Sequence, residues 1–196
     1  MANMNKKDSS FYLIKGYPGL TNMAKYIMPY IPTSKVYVEP FAGLGRTVEL
    51  RHDKIILNDM SDYAINYLKN EYGEYSETCE FPVIITQEDF KECILRWDSE
   101  ETFFLIDPPW RKNIYKNNEK PFSNKTPIQY YDMLLNHILP NVKGNWILCV
   151  DRDEHEIGKR VSKSIYNNLV IQHPTVKLFG KSVAVRLCSN KEFKIE

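Results

Sequence analysis

TFFLIDPPW, residues 102–110, runs five β-branched, aromatic and aliphatic residues together before an aspartate, two prolines and a tryptophan. A strand with one wet face alternates apolar and polar residues. An unbroken apolar run is instead buried on both faces, as in a parallel sheet covered by helices. Proline ends such a strand because it lacks the ladder N–H and fixes φ. One proline suffices for that, and neither a carboxylate nor an indole is needed. Asp107, Pro108, Pro109 and Trp110 therefore stand out as candidates for chemistry at a strand end.

Outward from this stretch the same pattern repeats. KVYVEPF (35–41), KIILND (54–59), PVIIT (82–86) and NWILCV (145–150) read as further short buried strands. Helical spacing separates them. SDYAINYLKNEY (61–72) follows a serine cap, QEDFKECILRW (87–97) keeps the period, and PIQYYDMLLNHIL (127–139) opens on proline. LTNMAKYIMPYI (20–31) reads as a helix broken near Pro29. In the tail, LVIQHPTVKLFGKSVAVRL (169–187) holds two β-rich runs around a Gly-Lys turn and predicts an antiparallel hairpin. The expectation is an α/β fold with a central, mostly parallel, seven-stranded sheet, helices on both faces and a C-terminal antiparallel hairpin. No repeat or linker interrupts residues 1–196, so a single domain is expected.

The chain has 196 residues, 26% of them charged, and a net charge of +1, which fits a soluble globular domain without global charge bias. No apolar run is long enough for a bilayer, and MANMNKKDSS carries no signal-peptide pattern. Cys79, Cys93, Cys149 and Cys188 are scattered without a CxxC pair, which disfavours zinc and disulfide frameworks. Cys149 and Cys188 read as small packing residues, and the expected setting is cytoplasmic. His52, His137, His155 and His173 show no metal-ligand spacing, and DRDEHE (151–156) reads as a loop and an acidic helix start. No metal is expected.

In a doubly covered parallel sheet, ligands bind beyond the carboxyl ends of the strands. The first strand leads into Gly43 and Gly45, which permit a tight turn and close approach of a ligand to the backbone. Val48 breaks the GxGxxG spacing, which disfavours a pyrophosphate. The second strand ends in Asn58 and Asp59, at the interval where a carboxylate accepts from both ribose hydroxyls; the alternative is a helix cap near Ser61. After the third strand, Asp89 is placed to accept from an exocyclic amine and Phe90 to cover an adenine ring, the alternative being an acidic first helical turn. Together these features suggest a nucleoside cofactor without a pyrophosphate and a second site at the fourth strand.

VEPFAGLG, then LND, then DPPW resembles the S-adenosylmethionine-dependent amino-methyltransferases, most closely the Dam-type DNA adenine-N6 methyltransferases, over about residues 11–110. In that family an FxGxG-type loop precedes a [DNS]PP[YFW] motif, and a further cofactor segment lies upstream. YLIKGYPGLTNMAKYIMPYIP (12–32) occupies that upstream place. The resemblance implies a Rossmann-like class I methyltransferase fold and S-adenosyl-L-methionine as cofactor. It adds Tyr12, Lys15, Glu39, Pro40 and Phe41 to Gly43, Gly45, Asn58, Asp59, Asp89 and Phe90 as cofactor-binding residues. It makes Asp107, Pro108, Pro109 and Trp110 the catalytic set.

The chemistry suits those residue types. An adenine amine is planar, with its lone pair spread into the ring. A carboxylate accepting one N–H and a backbone carbonyl accepting the other would aim that lone pair at a methyl sulfonium. Trp110 offers a stacking face for the base. Methylation at cytosine carbon needs a cysteine nucleophile, usually after proline, and no Pro-Cys occurs. Cytosine N4 chemistry uses similar residues.

RKNIYKNNEKPFSNK (111–125) sets Arg111, Lys112, Lys116, Lys120 and Lys125 against Glu119 alone, with Tyr115 and Phe122 interleaved. This basic loop, 111–126, reads as a phosphate contact beside the active site, with DNA as the partner; the alternative is a solvated loop. It is too short for a recognition domain. The expected consequences are loose sequence preference, recognition by a separate subunit, or action on RNA. A non-catalytic methyltransferase-fold subunit is the competing class, and it predicts damage to the motifs that is not seen.

Overall fold

The computed structural model describes residues 24–49, 51–74, 82–108, 127–151, 166–178 and 181–195. Five strands form where the apolar runs predict them: β1 (Val36–Glu39), β2 (Lys54–Asn58), β3 (Val83–Thr86), β4 (Thr102–Ile106) and β5 (Asn145–Asp151). β6 (Asn167–Leu178) and β7 (Lys181–Ser189) complete one sheet of order β3-β2-β1-β4-β5-β7-β6. β1 to β5 pair in parallel, with Val38 opposite Ile56 and Phe104 opposite Trp146. β7 runs antiparallel to both β5 and β6, giving the expected C-terminal hairpin. The tip of its Gly-Lys turn falls outside the described residues.

Period-two alternation sends neighbours in each strand to opposite faces. Tyr37, Phe103 and Leu105 pack into one core with Leu68 and Tyr72. Val38, Phe104 and Ile106 pack into the other with Phe90, Ile94 and Leu134. Both sides of β4 are thus covered, which is why its sequence is apolar without a break.

The helices follow from their caps and stripes. α1 (Ala24–Ile27) passes into a 3-10 turn at Met28–Tyr30, with Pro29 in its first turn. α2 (Asp62–Tyr72) starts at Ser61, whose hydroxyl accepts from the Ala64 N–H at 3.3 Å, and buries Ala64, Ile65, Leu68 and Tyr72. α3 (Phe90–Trp97) begins later than the expected 87, because Asp89 caps it by accepting from the Lys91 N–H at 2.9 Å. α4 (Pro127–Met133) is shorter than the expected 127–139. It widens into a π turn at Leu134–Ile138 and then a 3-10 turn at Leu139–Asn141. Pro140 is the physical cause: it lacks an N–H, and its ring clashes with the carbonyl four residues back.

The crossing from β1 to β2, residues 40–53, contains no helix among its described residues. A parallel crossover is normally padded by one. Here the coil 42–48 itself lies against α2, with Ala42 and Val48 in the same core as Leu68 and Tyr72.

Candidate active site

Strand order reverses beside β1: β2 and β3 lie to one side, β4 and β5 to the other. A crevice beyond the carboxyl ends at such a reversal is the usual ligand position. Glu39 ends β1 and Asp107 directly follows β4, so carboxylates flank the reversal. Asp107 is half-buried and Pro108 buried. Below them, burial pushes the Cys149 thiol well above its ordinary range, helped by the negative charges of Asp107 and Glu39. Burial and nearby Glu88 likewise push Cys93 up to about 12. Both remain thiols at neutral pH, a poor state for a nucleophile.

The loop after β1 is built on two left-handed glycines, Gly43 at φ 53° and Gly45 at φ 59°. Side chains rarely tolerate that conformation. Ala42 N–H donates to Asn58 O at 2.8 Å, and Gly45 N–H donates to Ala42 O at 2.8 Å. Asp59 grips the same loop: its Oδ2 accepts from Gly43 N–H at 2.8 Å, while Oδ1 accepts from Ser61 N–H at 2.9 Å. It therefore joins the glycine loop to the start of α2.

Glu39 is only 4% exposed. Its Oε1 accepts from the Tyr37 hydroxyl and from Thr47 Oγ1, each at 2.6 Å. Burial foremost, and then Glu39, raise the Tyr37 pKa well above the ordinary phenol range, so Tyr37 serves as a neutral donor to a carboxylate.

Asn58 is fully buried. Its Nδ2 donates to Pro40 O and Glu88 O, each at 3.0 Å. Its Oδ1 accepts from Thr86 Oγ1 at 2.9 Å and from Glu88 N–H at 3.0 Å. All four hydrogen-bonding capacities of the amide are thus spent on protein. One side chain pins the segments after β1 and β3 to the end of β2.

Phe41 stacks on Phe90 with ring centroids 4.9 Å apart, and Tyr130 of α4 closes on Phe41 edge-on at 6.0 Å. Phe90 is buried, while Phe41 and Tyr130 remain partly exposed. Asp89 is exposed at the start of α3. Tyr12, Lys15, Pro109, Trp110, Arg111, Lys112, Lys116, Lys120 and Lys125 lie outside the described residues.

The model of the D12 class N6 adenine-specific DNA methyltransferases matches residues 19–136, more than half of the chain. The chain belongs to the D12 class N6 adenine-specific DNA methyltransferases. No curated protein matches the sequence. Solved structures share its fold at low identity. Precorrin 8w decarboxylase from Methanobacterium thermoautotrophicum aligns with a TM-score of 0.54 and 12% identity, over 90% of this chain and 94% of its own. An rRNA methylase from Streptococcus thermophilus gives 0.52 and 10%, over 86% and 94%. The tRNA m1G37 methyltransferase from M. jannaschii gives 0.52 and 17%, over 88% of this chain and 50% of that longer one. The sheet is that of the Rossmann-like class I methyltransferases, with an antiparallel C-terminal hairpin.

Membership of the D12 class, with this fold, implies S-adenosylmethionine as methyl donor. The donor set fits such a group. It offers a partly exposed carboxylate on Asp59 for vicinal hydroxyls and a glycine backbone for close approach. It also places the carboxylates of Glu39 and Asp107 beside the reversal, where a sulfonium would sit favourably.

Tyr37, Thr47, Tyr72, Thr86 and Glu88 contact the site's residues directly, and no motif in this D12 sequence marks them. Their partners lie up to 30 residues away. The only legible signal was weak: polar or phenolic residues falling on faces otherwise read as core.

Proposed function

We propose that the chain transfers a methyl group from S-adenosylmethionine to the N6 amine of adenine in DNA. The observation that carries this reading is the half-buried Asp107 at the end of β4, across the strand-order reversal from the glycine loop. When bound, the cofactor supplies a methyl group on a sulfonium. Asp107 accepts one N–H of the target amine, and a backbone carbonyl of the Pro108–Pro109 segment accepts the other. The lone pair is then held out of the ring plane and in line with the methyl. Trp110 stacks on the base, which offsets part of the cost of flipping, about a few kcal/mol. The product ammonium is strongly acidic and loses its proton to Asp107 or to water, so no base with a shifted pKa is required.

Asp59 accepts from the ribose hydroxyls, with Gly43 and Gly45 lining the cofactor and Phe41 and Phe90 bordering its ring. Glu39, Pro40, Tyr12, Lys15 and Asp89 complete that group, and Asn58 serves it by fixing the loops. Asp59→Ala is expected to weaken cofactor binding by about ten-fold or more, since it removes the hydroxyl acceptor and the Gly43 tether together. Calorimetric titration with S-adenosylmethionine checks this, and an unchanged affinity would leave Asp59 as a cap alone.

The basic residues 111–125 contact phosphates in this reading. Neutralising Lys112, Lys116 and Lys120 together should lower the slope of log affinity against log salt by about 2–3. An unmoved slope would assign the phosphates to other residues. The whole chain acts as one catalytic domain, and a cytoplasmic setting suits its buried free cysteines, Cys93, Cys149 and Cys188.

Adenine-N6 methylation of RNA is the second reading. It is favoured by the short interval between β4 and α4, residues 107–126, which leaves no room for a recognition domain. An unpaired RNA base needs no flipping. Parallel assays on duplex DNA, single-stranded DNA and RNA distinguish the two: transfer to DNA is expected, and transfer confined to RNA would replace the DNA reading.

A further inference from the structure

A glycine loop after a parallel strand commonly leads into a helix that braces it. No helix follows it among the described residues of the β1–β2 crossing, and α2 lies where that brace would act. From the last turn of α2, the buried Tyr72 hydroxyl donates to Gly45 O at 3.0 Å, spanning 27 residues of sequence. The fit around this bond is close. A Cβ on Gly45 would stand 3.1 Å from both Leu68 Cδ2 and Tyr72 Cε2. Asp59 holds the other glycine, so the loop is fastened from both ends of one helix.

We propose that Tyr72 is the positioning residue of the cofactor loop: its hydrogen bond to Gly45 O makes α2 the brace that holds the backbone in its binding conformation. The proposal rests on the cofactor assignment made above. It has a consequence that mere packing lacks. If the loop closes on the cofactor through this bond, binding must be transmitted to α2, because linkage is reciprocal.

The test uses the full chain with S-adenosylmethionine as probe. Tyr72→Phe keeps the ring and removes the donor. It should raise the cofactor Kd and KM about five- to ten-fold while leaving the nucleic-acid KM unchanged. In the unaltered chain, cofactor should slow amide hydrogen exchange in residues 68–73, and Tyr72→Phe should abolish that protection. Thr102→Val is the comparison. It removes a buried hydroxyl donating to Trp97 O at 2.7 Å, at the amino-terminal end of β4 and away from the strand ends that carry the site, and should leave cofactor affinity unchanged. If Tyr72→Phe does not fold, Gly45→Ala reaches the same contact from the loop side and should weaken cofactor binding at least as much. Equal cofactor affinity in either folded variant overturns the brace alone. Failure of the unaltered chain to bind S-adenosylmethionine overturns the cofactor assignment, and the brace with it.

Discussion

Replacing Asp107 with alanine should lower methyl transfer by about a thousand-fold or more while leaving S-adenosylmethionine affinity within a few-fold. The separation follows from position. Asp107 follows β4, whereas the residues expected to touch the ribose and the glycine backbone sit beyond β1 and β2. Its carboxylate would act on the amine only as that amine becomes pyramidal, and such an interaction lowers kcat more than it changes ground-state binding. Asp107→Asn should recover little, because the amide offers one acceptor oxygen and no charge to the developing ammonium. Single-turnover kinetics alongside cofactor titration reads both quantities. Turnover near that of the unaltered chain in Asp107→Ala would remove Asp107 from the mechanism.

The second large effect is expected at Asn58, and it falls on stability. Asn58→Asp preserves shape and keeps an oxygen for Thr86 and for the Glu88 N–H. It replaces the amide nitrogen with an oxygen about 3 Å from two carbonyls, Pro40 O and Glu88 O. In a fully buried site this leaves either an uncompensated charge or, after protonation, a single donor for two acceptors. The cost should be about 3–5 kcal/mol, which lowers Tm by roughly 10 °C for a chain of this size. Because the same amide sets the segments carrying Phe41 and Phe90, cofactor affinity should fall as well. Thermal unfolding and cofactor titration of the variant check both effects. A Tm within about 2 °C of the unaltered chain would mean that the Asn58 bonds are not the knot described.

The architecture was readable because its strands are buried on both faces. The apolar runs at 54–59, 82–86 and 102–107 have no amphipathic alternative, and the described strands fall within a residue or so of them. Helix starts were less legible. Asp89 reads from the sequence as an acceptor for an exocyclic amine or as an acid within a first helical turn beginning at 87, and its bond to the Lys91 N–H makes it instead the cap before α3. The π turn at Leu134–Ile138 was hidden because its apolar spacing passes for an ordinary helix until Pro140 intervenes.

At the candidate site, the sequence marked the residues but not their connections. Asn58 stands out as a strand-end polar residue, yet its partners, Pro40 on one side and Thr86 and Glu88 on the other, come from two segments 18 to 30 residues away. Tyr72 looks like the last apolar residue of an amphipathic stripe. Its hydroxyl reaches Gly45 where the coil 42–48 packs against α2, with no helix among the described residues of the β1–β2 crossing. Such contacts depend on which elements become neighbours, and local patterning does not carry that information.

The central claim is tested most directly by incubating the chain with methyl-labelled S-adenosylmethionine and unmethylated DNA, then resolving the product nucleosides. Label recovered as N6-methyladenine is the predicted result. Label in a methylated cytosine, or cofactor binding with no transfer to DNA of any sequence, would contradict it.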